Sequence, residues 1–433
     1  MKNPACGGSL LLIAISSLLF GCESSKPFRT NNQIGVNPNS TNSNFVIEER
    51  TNYTLGFVEF DDQGWLLRPN QIETVTSKFS EEMKTQGLLI VTFVHGWKHN
   101  AGSQDGNVVM MRKILSHIST MEQFISKREN RSAKRVVGVY IGWRGLSAKV
   151  EPFEELSFWG RKSTAETVGH GAVVELLTTL ENLKNQSNKE YGEAISNHKR
   201  ASTKLIIIGH SFGGDIVYSA TAPILVERMV ENGGTNGSPQ PPKSLGDMVI
   251  LINPAFEAAR FETIQRLATT KTFSGENCVL VVFTSKTDDA TKIAFPLGRR
   301  VSTLFDTYPK EQLGQGKANV TAVGHYSPYI TYDLNALDKK RGTNEVSFQA
   351  SVERILLLKE KRRKVSANSS REDLTFSFTH SELVPRMTNC VPNDPVFVVS
   401  VDPILIPDHN TINRGSFVRT LEEFLSTFSD ENP

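Results

Sequence analysis

The sequence has little net charge, no apolar run of membrane-spanning length and few cysteines. Its 433 residues carry 48 lysines and arginines against 46 aspartates and glutamates, a net charge of +2. A balance this even offers no basic surface for nucleic acid, so we expect no nucleic-acid partner. An enzyme or a neutral binding protein fits better. The longest apolar stretch near the start, Ser9 to Phe20, is too short to span a bilayer comfortably.

The N-terminus has the pattern of an export signal, with Lys2 before the apolar stretch. The stretch ends in Leu19-Phe20-Gly21-Cys22, which resembles the lipobox of bacterial lipoproteins. In those proteins the signal is cleaved before the cysteine, which then carries acyl chains such as palmitate. The resemblance implies a signal peptide over residues 1–21 and lipidation at Cys22. The chain would then be anchored to a membrane of the bacterial envelope, outer or inner, facing the periplasm. The alternative is an ordinary secretory signal with an incidental cysteine.

Residues 22–47 are predicted to be the lipidated cysteine and a flexible tether, because the stretch is mostly polar with little apolar content. The folded domain is predicted to cover residues 48–433. We expect a monomer.

Export also determines how the few cysteines are interpreted, since only Cys278 and Cys390 would remain thiols in the mature chain. Cys278 directly precedes one apolar run, and Cys390 lies shortly before another, Val396 to Val401. If these runs are neighbouring parallel strands, both cysteines lie near the same edge and could form a disulfide. Two unpaired cysteines are the alternative.

Strand-like and helix-like segments alternate along the domain. Short apolar runs typical of buried strands recur seven times: Leu55–Phe60, Leu88–Val94, Val136–Ile141, Leu205–Ile208, Met248–Ile252, Val279–Thr284 and Val396–Val401. Apolar residues at helical spacing lie between them, and an amphipathic helix is predicted over Ser416–Phe428. The alternation predicts an α/β fold with a mostly parallel sheet covered by helices on both faces.

One region interrupts this alternation. Residues 290–390 are too many for a simple crossover between two strands. We interpret the region as an insertion before the last strand, near the mouth of the site, that could act as a lid. A structural extension of the sheet or of its covering helices is an equal alternative.

The strand Leu205–Ile208 ends in Gly209-His210-Ser211-Phe212-Gly213-Gly214, and the residues that follow can continue as a helix. Glycines two residues before and after Ser211 suit a turn too tight for side chains. The pattern predicts a nucleophile elbow, with the Ser211 hydroxyl exposed above the sheet. G-x-S-x-G alone is weak, and the flanking strand and helix strengthen it.

The chain resembles the α/β-hydrolases from about Leu55 to its C-terminus, and most closely the lipoprotein-type bacterial hydrolases with an HGW-like loop and a GHSFGG elbow. The resemblance rests on His95-Gly96-Trp97 after an early strand, the elbow after a central one, and acids and then a histidine after later strands. It implies a Ser-His-Asp triad in the chain order of this fold. It also implies that the backbone N–H groups of Phe212 and Trp97 form the oxyanion hole.

A serine hydroxyl needs a base within hydrogen-bond reach. His409 follows the last strand by eight residues, where the fold places its base, and His325 in the insertion is a weaker candidate. His210 is predicted to point into the sheet. His95 is predicted to be structural, because no zinc motif surrounds it and His99, so no metal is expected.

The acid that orients the base follows the strand Val279–Thr284. The resemblance favours Asp288, because the family places its acid four or five residues past this strand. Asp289 is the next candidate, and Glu257 is a distant third. The unused aspartate would cap a loop.

Three functions remain open. The first is a membrane-anchored, esterase- or lipase-like serine hydrolase that cleaves a small-molecule or lipid ester and needs no cofactor. The second is an acyltransferase with the same triad, and the third is a non-catalytic lipoprotein that uses the fold as a binding module. Retention of Ser, acid and His in these positions argues against the third.

Overall fold

The computed structural model describes residues 26–38, 43–145, 153–192, 200–234, 239–274, 277–304, 306–308, 314–337, 348–366, 368–388, 390 and 394–429. The predicted signal peptide and Cys22 lie outside the described residues.

One sheet of twelve strands organises these residues. The strands are β1 Asn31–Val36, β2 Phe45–Glu49, β3 Tyr53–Glu59, β4 Leu88–Val94, β5 Arg135–Gly142, β6 Lys204–His210, β7 Met248–Ile252, β8 Leu280–Ser285, β9 Tyr332–Ala336, β10 Phe376–Ser377, β11 Ser381–Pro385 and β12 Val396–Val401. Their order is β1-β2-β3-β5-β4-β6-β7-β8-β12-β9-β11-β10. From β3 to β9 every neighbouring pair is parallel. All seven predicted strands are present.

Ten α-helices flank the sheet in the described part of the chain. They are α1 Gln71–Met83, α2 Gly106–Arg128, α3 Phe153–Gly169, α4 Val173–Gly192, α5 Phe212–Asn232, α6 Ala258–Thr270, α7 Phe295–Ser302, α8 Gln315–Val320, α9 Phe348–Arg363 and α10 Gly415–Phe428. The helix α5 continues through Pro223.

The sheet separates two hydrophobic cores, because successive strand residues point to opposite faces. In β4, Ile90 packs with residues of α1, α4, α5 and α6, whereas Val91 packs with residues of α2, α9 and α10. Both faces are therefore covered, as predicted, and the strands are apolar on both sides. The loops that follow parallel strands gather at one edge, which we call the carboxyl edge.

The predicted tether is wrong for residues 26–38 and 43–47, which belong to the fold. Arg29 is fully buried, and its guanidinium lies 2.8 Å from Glu48 on β2. Arg112 of α2 binds both oxygens of the same carboxylate, each at 2.8 Å. A stretch poor in apolar residues is thus held by a buried ion pair and by strand pairing.

Glu48→Ala is expected to lower the free energy of unfolding by about 3–5 kcal/mol, because it leaves Arg29 and Arg112 buried without their carboxylate. Chemical denaturation measures this loss. Glu49→Ala is the control: its half-exposed side chain pairs with Lys78, and it is expected to cost about 1 kcal/mol or less. Equal effects of the two variants would show that residues 26–38 do not dock as described.

The predicted insertion, residues 290–390, divides into two parts. A π-helix at Ala290–Ala294, α7 and α8 follow the carboxyl end of β8. The second part extends the sheet through β9, β11 and β10, where β9 pairs with β12 and β11 pairs antiparallel with β9. The alternative of a structural extension therefore describes β9 to β11, and only the first part lies beside the site.

The predicted disulfide is absent, since Cys278 and Cys390 are both free and buried. The strands that follow them, β8 and β12, are parallel neighbours as expected. Each thiol has its own partner: Cys278 Sγ lies 3.4 Å from the Leu280 carbonyl oxygen, and Cys390 shares a hydrogen bond with Tyr332. Burial raises the pKa of Cys390 to about 12, so this thiol stays protonated and unreactive.

Candidate active site

The nucleophile elbow joins β6 to α5. Ser211 has φ 57° and ψ −122°, a positive φ that is uncommon for a residue with a side chain. The two flanking glycines are required by close backbone packing. A Cβ at Gly209 would lie 2.5 Å from the Gly213 carbonyl oxygen, and one at Gly213 would lie 2.1 Å from the Val94 carbonyl oxygen. The strained turn thus fixes Ser211 at the carboxyl edge.

The structure brings Ser211, His409 and Asp288 together. His409 Nε2 lies 2.7 Å from Ser211 Oγ, and His409 Nδ1 lies 2.9 Å from Asp288 Oδ1. An ionised carboxylate only accepts hydrogen bonds, so the proton of the imidazole is assigned to Nδ1. Nε2 is then the acceptor for the Ser211 hydroxyl. The arrangement can remove the hydroxyl proton as Ser211 forms a bond.

Asp288 is buried and remains ionised. Burial alone would raise its pKa, but hydrogen bonds from His409 and Thr291, together with the charge of His409, hold the pKa below the ordinary value. Thr291 contributes its backbone N–H at 3.1 Å to Oδ1 and its hydroxyl at 2.5 Å to Oδ2. Thr291 therefore holds both oxygens of the carboxylate in place.

The alternative acids and base lie elsewhere. Asp289 is exposed. Glu257 forms ion pairs with Lys162 at 3.0 Å and Arg299 at 2.8 Å, away from His409. His325 Nε2 lies 3.0 Å from the Thr291 hydroxyl, and the histidine that contacts Ser211 is His409.

The His95-Gly96-Trp97 loop packs against the nucleophile. A Cβ at Gly96 would lie 2.8 Å from Ser211 Cβ, so only glycine allows this approach. His95 is buried and structural: its Nε2 accepts the Trp143 backbone N–H at 3.1 Å, and its Nδ1 donates to the Gly96 carbonyl at 2.9 Å. Burial lowers its pKa to about 4, so it stays neutral. The role of the Phe212 and Trp97 N–H groups as oxyanion donors remains a prediction.

A set of side chains that sequence reasoning missed holds the backbone of the His409 loop. Ser285 donates to the Ile406 carbonyl at 2.6 Å and Thr287 to the Pro407 carbonyl at 2.8 Å. Asn253 Nδ2 and His210 Nε2 both donate to the His409 carbonyl, at 2.9 and 2.8 Å. All four residues end or follow strands at the carboxyl edge, and this position was the only feature of the sequence that pointed to a role near the site. They fix the backbone from which the imidazole projects.

His210 should make the stability of the fold depend on pH. Burial and the nearby His409 lower its pKa to about 3, although the hydrogen bond to the His409 carbonyl acts in the opposite direction, so the folded chain keeps it neutral. The unfolded chain takes up a proton as the pH falls below about 6.5. Stability is therefore lost on acidification, and the wild type should lose about 2–3 kcal/mol more than His210→Gln between about pH 6 and pH 4. Urea titrations at both pH values measure the difference, and parallel losses would contradict the assignment.

Among the residues that the structure describes, no group of three or more His, Cys, Asp or Glu side chains could hold a metal ion. His99 Nδ1 lies 3.1 Å from Asp105 Oδ1, the residue that caps α2. In the same described residues, no helix is long and apolar enough to cross a membrane.

A mostly parallel sheet of this order, with a strand–serine–helix turn at its carboxyl edge, is the architecture of the α/β-hydrolases, and the chain has the α/β-hydrolase fold. Residues 171–362 match the family described as "Alpha/beta hydrolase of unknown function (DUF900)". That span includes Ser211 and Asp288 and ends before His409.

Three solved structures are similar to parts of the chain. An S-formylglutathione hydrolase from Agrobacterium tumefaciens is 11% identical over 48% of this chain and 68% of that one, with a TM-score of 0.23. A Trichoderma reesei cutinase, in complex with a C11Y4 phosphonate inhibitor, is 13% identical over 42% and 67%, with a TM-score of 0.16. An uncharacterized protein from Pseudomonas aeruginosa is 9% identical over 54% and 42%, with a TM-score of 0.19. TM-scores this low do not establish a functional relationship. A comparison with curated proteins finds no match.

Proposed function

We propose that the protein is a serine hydrolase that cleaves carboxylic esters through an acyl-enzyme intermediate, tethered to a membrane of the cell envelope by lipid on Cys22. The observation that supports it most is the continuous line of hydrogen bonds from Ser211 Oγ through His409 to Asp288. A non-catalytic binding module has no need for that line or for the strain at Ser211.

In the first half-reaction, Ser211 Oγ attacks the ester carbonyl carbon while His409 Nε2 takes the hydroxyl proton. Asp288 holds Nδ1–H and stabilises the imidazolium. The tetrahedral intermediate then collapses, the bond to the alkoxide oxygen breaks, and His409 returns the proton to release an alcohol.

In the second half-reaction, water attacks the acyl group on Ser211 and gives a proton to His409. Collapse of this intermediate returns the proton to Ser211 Oγ and releases the carboxylic acid. The developing oxyanion would be stabilised by the N–H groups of Phe212 and Trp97. One such donor is worth about 3 kcal/mol in comparable sites.

A chain-length series of p-nitrophenyl esters tests this proposal. We expect a burst of nitrophenol equal to the enzyme concentration, followed by slower turnover, and neither in Ser211→Ala. Adding an alcohol acceptor divides hydrolysis from acyl transfer, because a transferase would form a new ester and little free acid. Absence of turnover with every ester in the series would count against the hydrolase.

A further inference from the structure

A stripe of apolar side chains is exposed beside the triad. Ile293, Leu297, Val301 and Leu304, which we call the apolar stripe, are 53%, 57%, 70% and 70% exposed. The spacing of four residues places the first three along one side of the π-helix and α7, and Leu304 follows in the turn two residues after α7 ends. Thr291 and Phe295 in the same segment are buried. The helix therefore turns an apolar face outward as well as inward.

The segment that carries the apolar stripe is also positively charged. Residues 290–304 contain Lys292, Arg299 and Arg300 and no acidic residue. Lys292 and Arg300 are exposed, whereas Arg299 pairs with Glu257. An exposed apolar face flanked by exposed cations is typical of helices that lie in the interface of an anionic membrane.

A second exposed apolar group lies on the other side of the triad. Trp65, which is 73% exposed, lies in a tight turn directly after the carboxyl end of β3. Five strand spacings separate β3 from β8, about 24 Å. Ser211 follows β6, which lies between them. Tryptophan favours the membrane–water interface because its ring is apolar and its N–H is polar.

The N-terminal segment reaches the same edge. The Phe28 N–H donates to Glu59 at the end of β3, and Arg29 Nε donates to the Ala101 carbonyl in the loop after β4. Phe28 itself is 40% exposed. Cys22 precedes Lys26 by four residues, so their Cα atoms are at most about 15 Å apart. A lipid on Cys22 would therefore hold this edge near the bilayer.

We infer that the carboxyl edge docks on an anionic bilayer, with Trp65 and the apolar stripe in the interface, and that the substrate is an ester lipid of that membrane. The claim about the substrate rests on the proposed function, whereas the claim that this edge docks on a bilayer does not. A bilayer fits better than a protein partner, because one flat surface can contact two apolar groups about 24 Å apart and because the cations face outward.

The experiment uses the full chain in vesicles of phosphatidylethanolamine and phosphatidylglycerol, with brominated acyl chains as tryptophan quenchers. Trp65→Phe isolates the signal of Trp65 from those of the other tryptophans. The test variant is Leu297→Asp with Val301→Asp. The matched control is Leu357→Asp, which removes a 64% exposed leucine on α9. That helix pairs through Lys359 with Glu129 at the C-terminal end of α2, at the opposite edge.

We expect bromolipid to quench Trp65 in the wild type, in Leu357→Asp and in Ser211→Ala, and much less in the test variant. Hydrolysis of a vesicle-embedded phospholipid ester, relative to that of a soluble p-nitrophenyl ester, should fall about tenfold or more in the test variant alone. Unquenched Trp65 in the wild type would overturn the docking, as would equal quenching in the test variant. If the test variant had the same ratio of the two rates as the wild type, the claim of a lipid substrate would be wrong. Quenching without hydrolysis of any ester would refute only the proposed function and the substrate.

Discussion

Ser211→Ala and His409→Ala are each expected to lower kcat for ester hydrolysis by about 10⁶-fold, and the double variant should be no slower than either single one. Ser211 Oγ and His409 Nε2 share one hydrogen bond of 2.7 Å, so the serine hydroxyl is activated only while the imidazole is in place. Either loss removes the same step. Initial rates on the best ester of the chain-length series measure the effect.

The folded state is the control for these variants. Both side chains end at the site, so thermal unfolding of the two variants should remain close to that of the wild type. If the losses in the two single variants multiplied in the double variant, Ser211 and His409 would act independently, contrary to the triad.

Asp288→Asn is expected to lower kcat by about 10⁴-fold. The asparagine amide can donate to His409 Nδ1, which favours the tautomer with the proton on Nε2. That tautomer cannot accept the Ser211 hydroxyl proton. The geometry of the site should change little, so KM should change far less than kcat.

Asp289→Asn is the matched control, because it makes the same chemical change one residue along the chain at an exposed position. Its kcat should stay within about twofold of the wild type, since exposed substitutions away from special features have small effects. A larger loss of kcat in Asp289→Asn than in Asp288→Asn would show that Asp289 is the acid that orients His409.

The residues of the candidate site could be predicted from the sequence because a parallel sheet gathers the loops after its strands at one edge. Ser211, Asp288 and His409 each follow an apolar run that is buried on both faces, so their strands were easy to find. The sequence favoured Asp288 but kept Asp289 as the next candidate, because the contact that buries Asp288 against Thr291 forms only in the folded loop.

Other parts of the fold and of the site depend on contacts between residues far apart in the chain, so no local sequence pattern predicted them. The strand β1 is mostly exposed and reads Asn-Asn-Gln-Ile-Gly-Val, so it resembles a polar linker. Its segment is held by Arg29 and Glu48, and Glu48 also binds Arg112, 64 residues further along. The hydrogen bonds from Asn253 and His210 to the His409 carbonyl span 156 and 199 residues. The prediction of a disulfide was wrong because the pairing of two neighbouring strands does not determine the direction in which each cysteine side chain points.

Covalent labelling tests the central claim most directly. A fluorophosphonate reacts with a serine only when a base and an oxyanion site activate it. We predict a single adduct on the folded wild type, located on Ser211 by mass spectrometry of the digested chain, and none on Ser211→Ala or on heat-unfolded protein. An unlabelled folded wild type, or an adduct on any other residue, would contradict the account of Ser211 as the nucleophile.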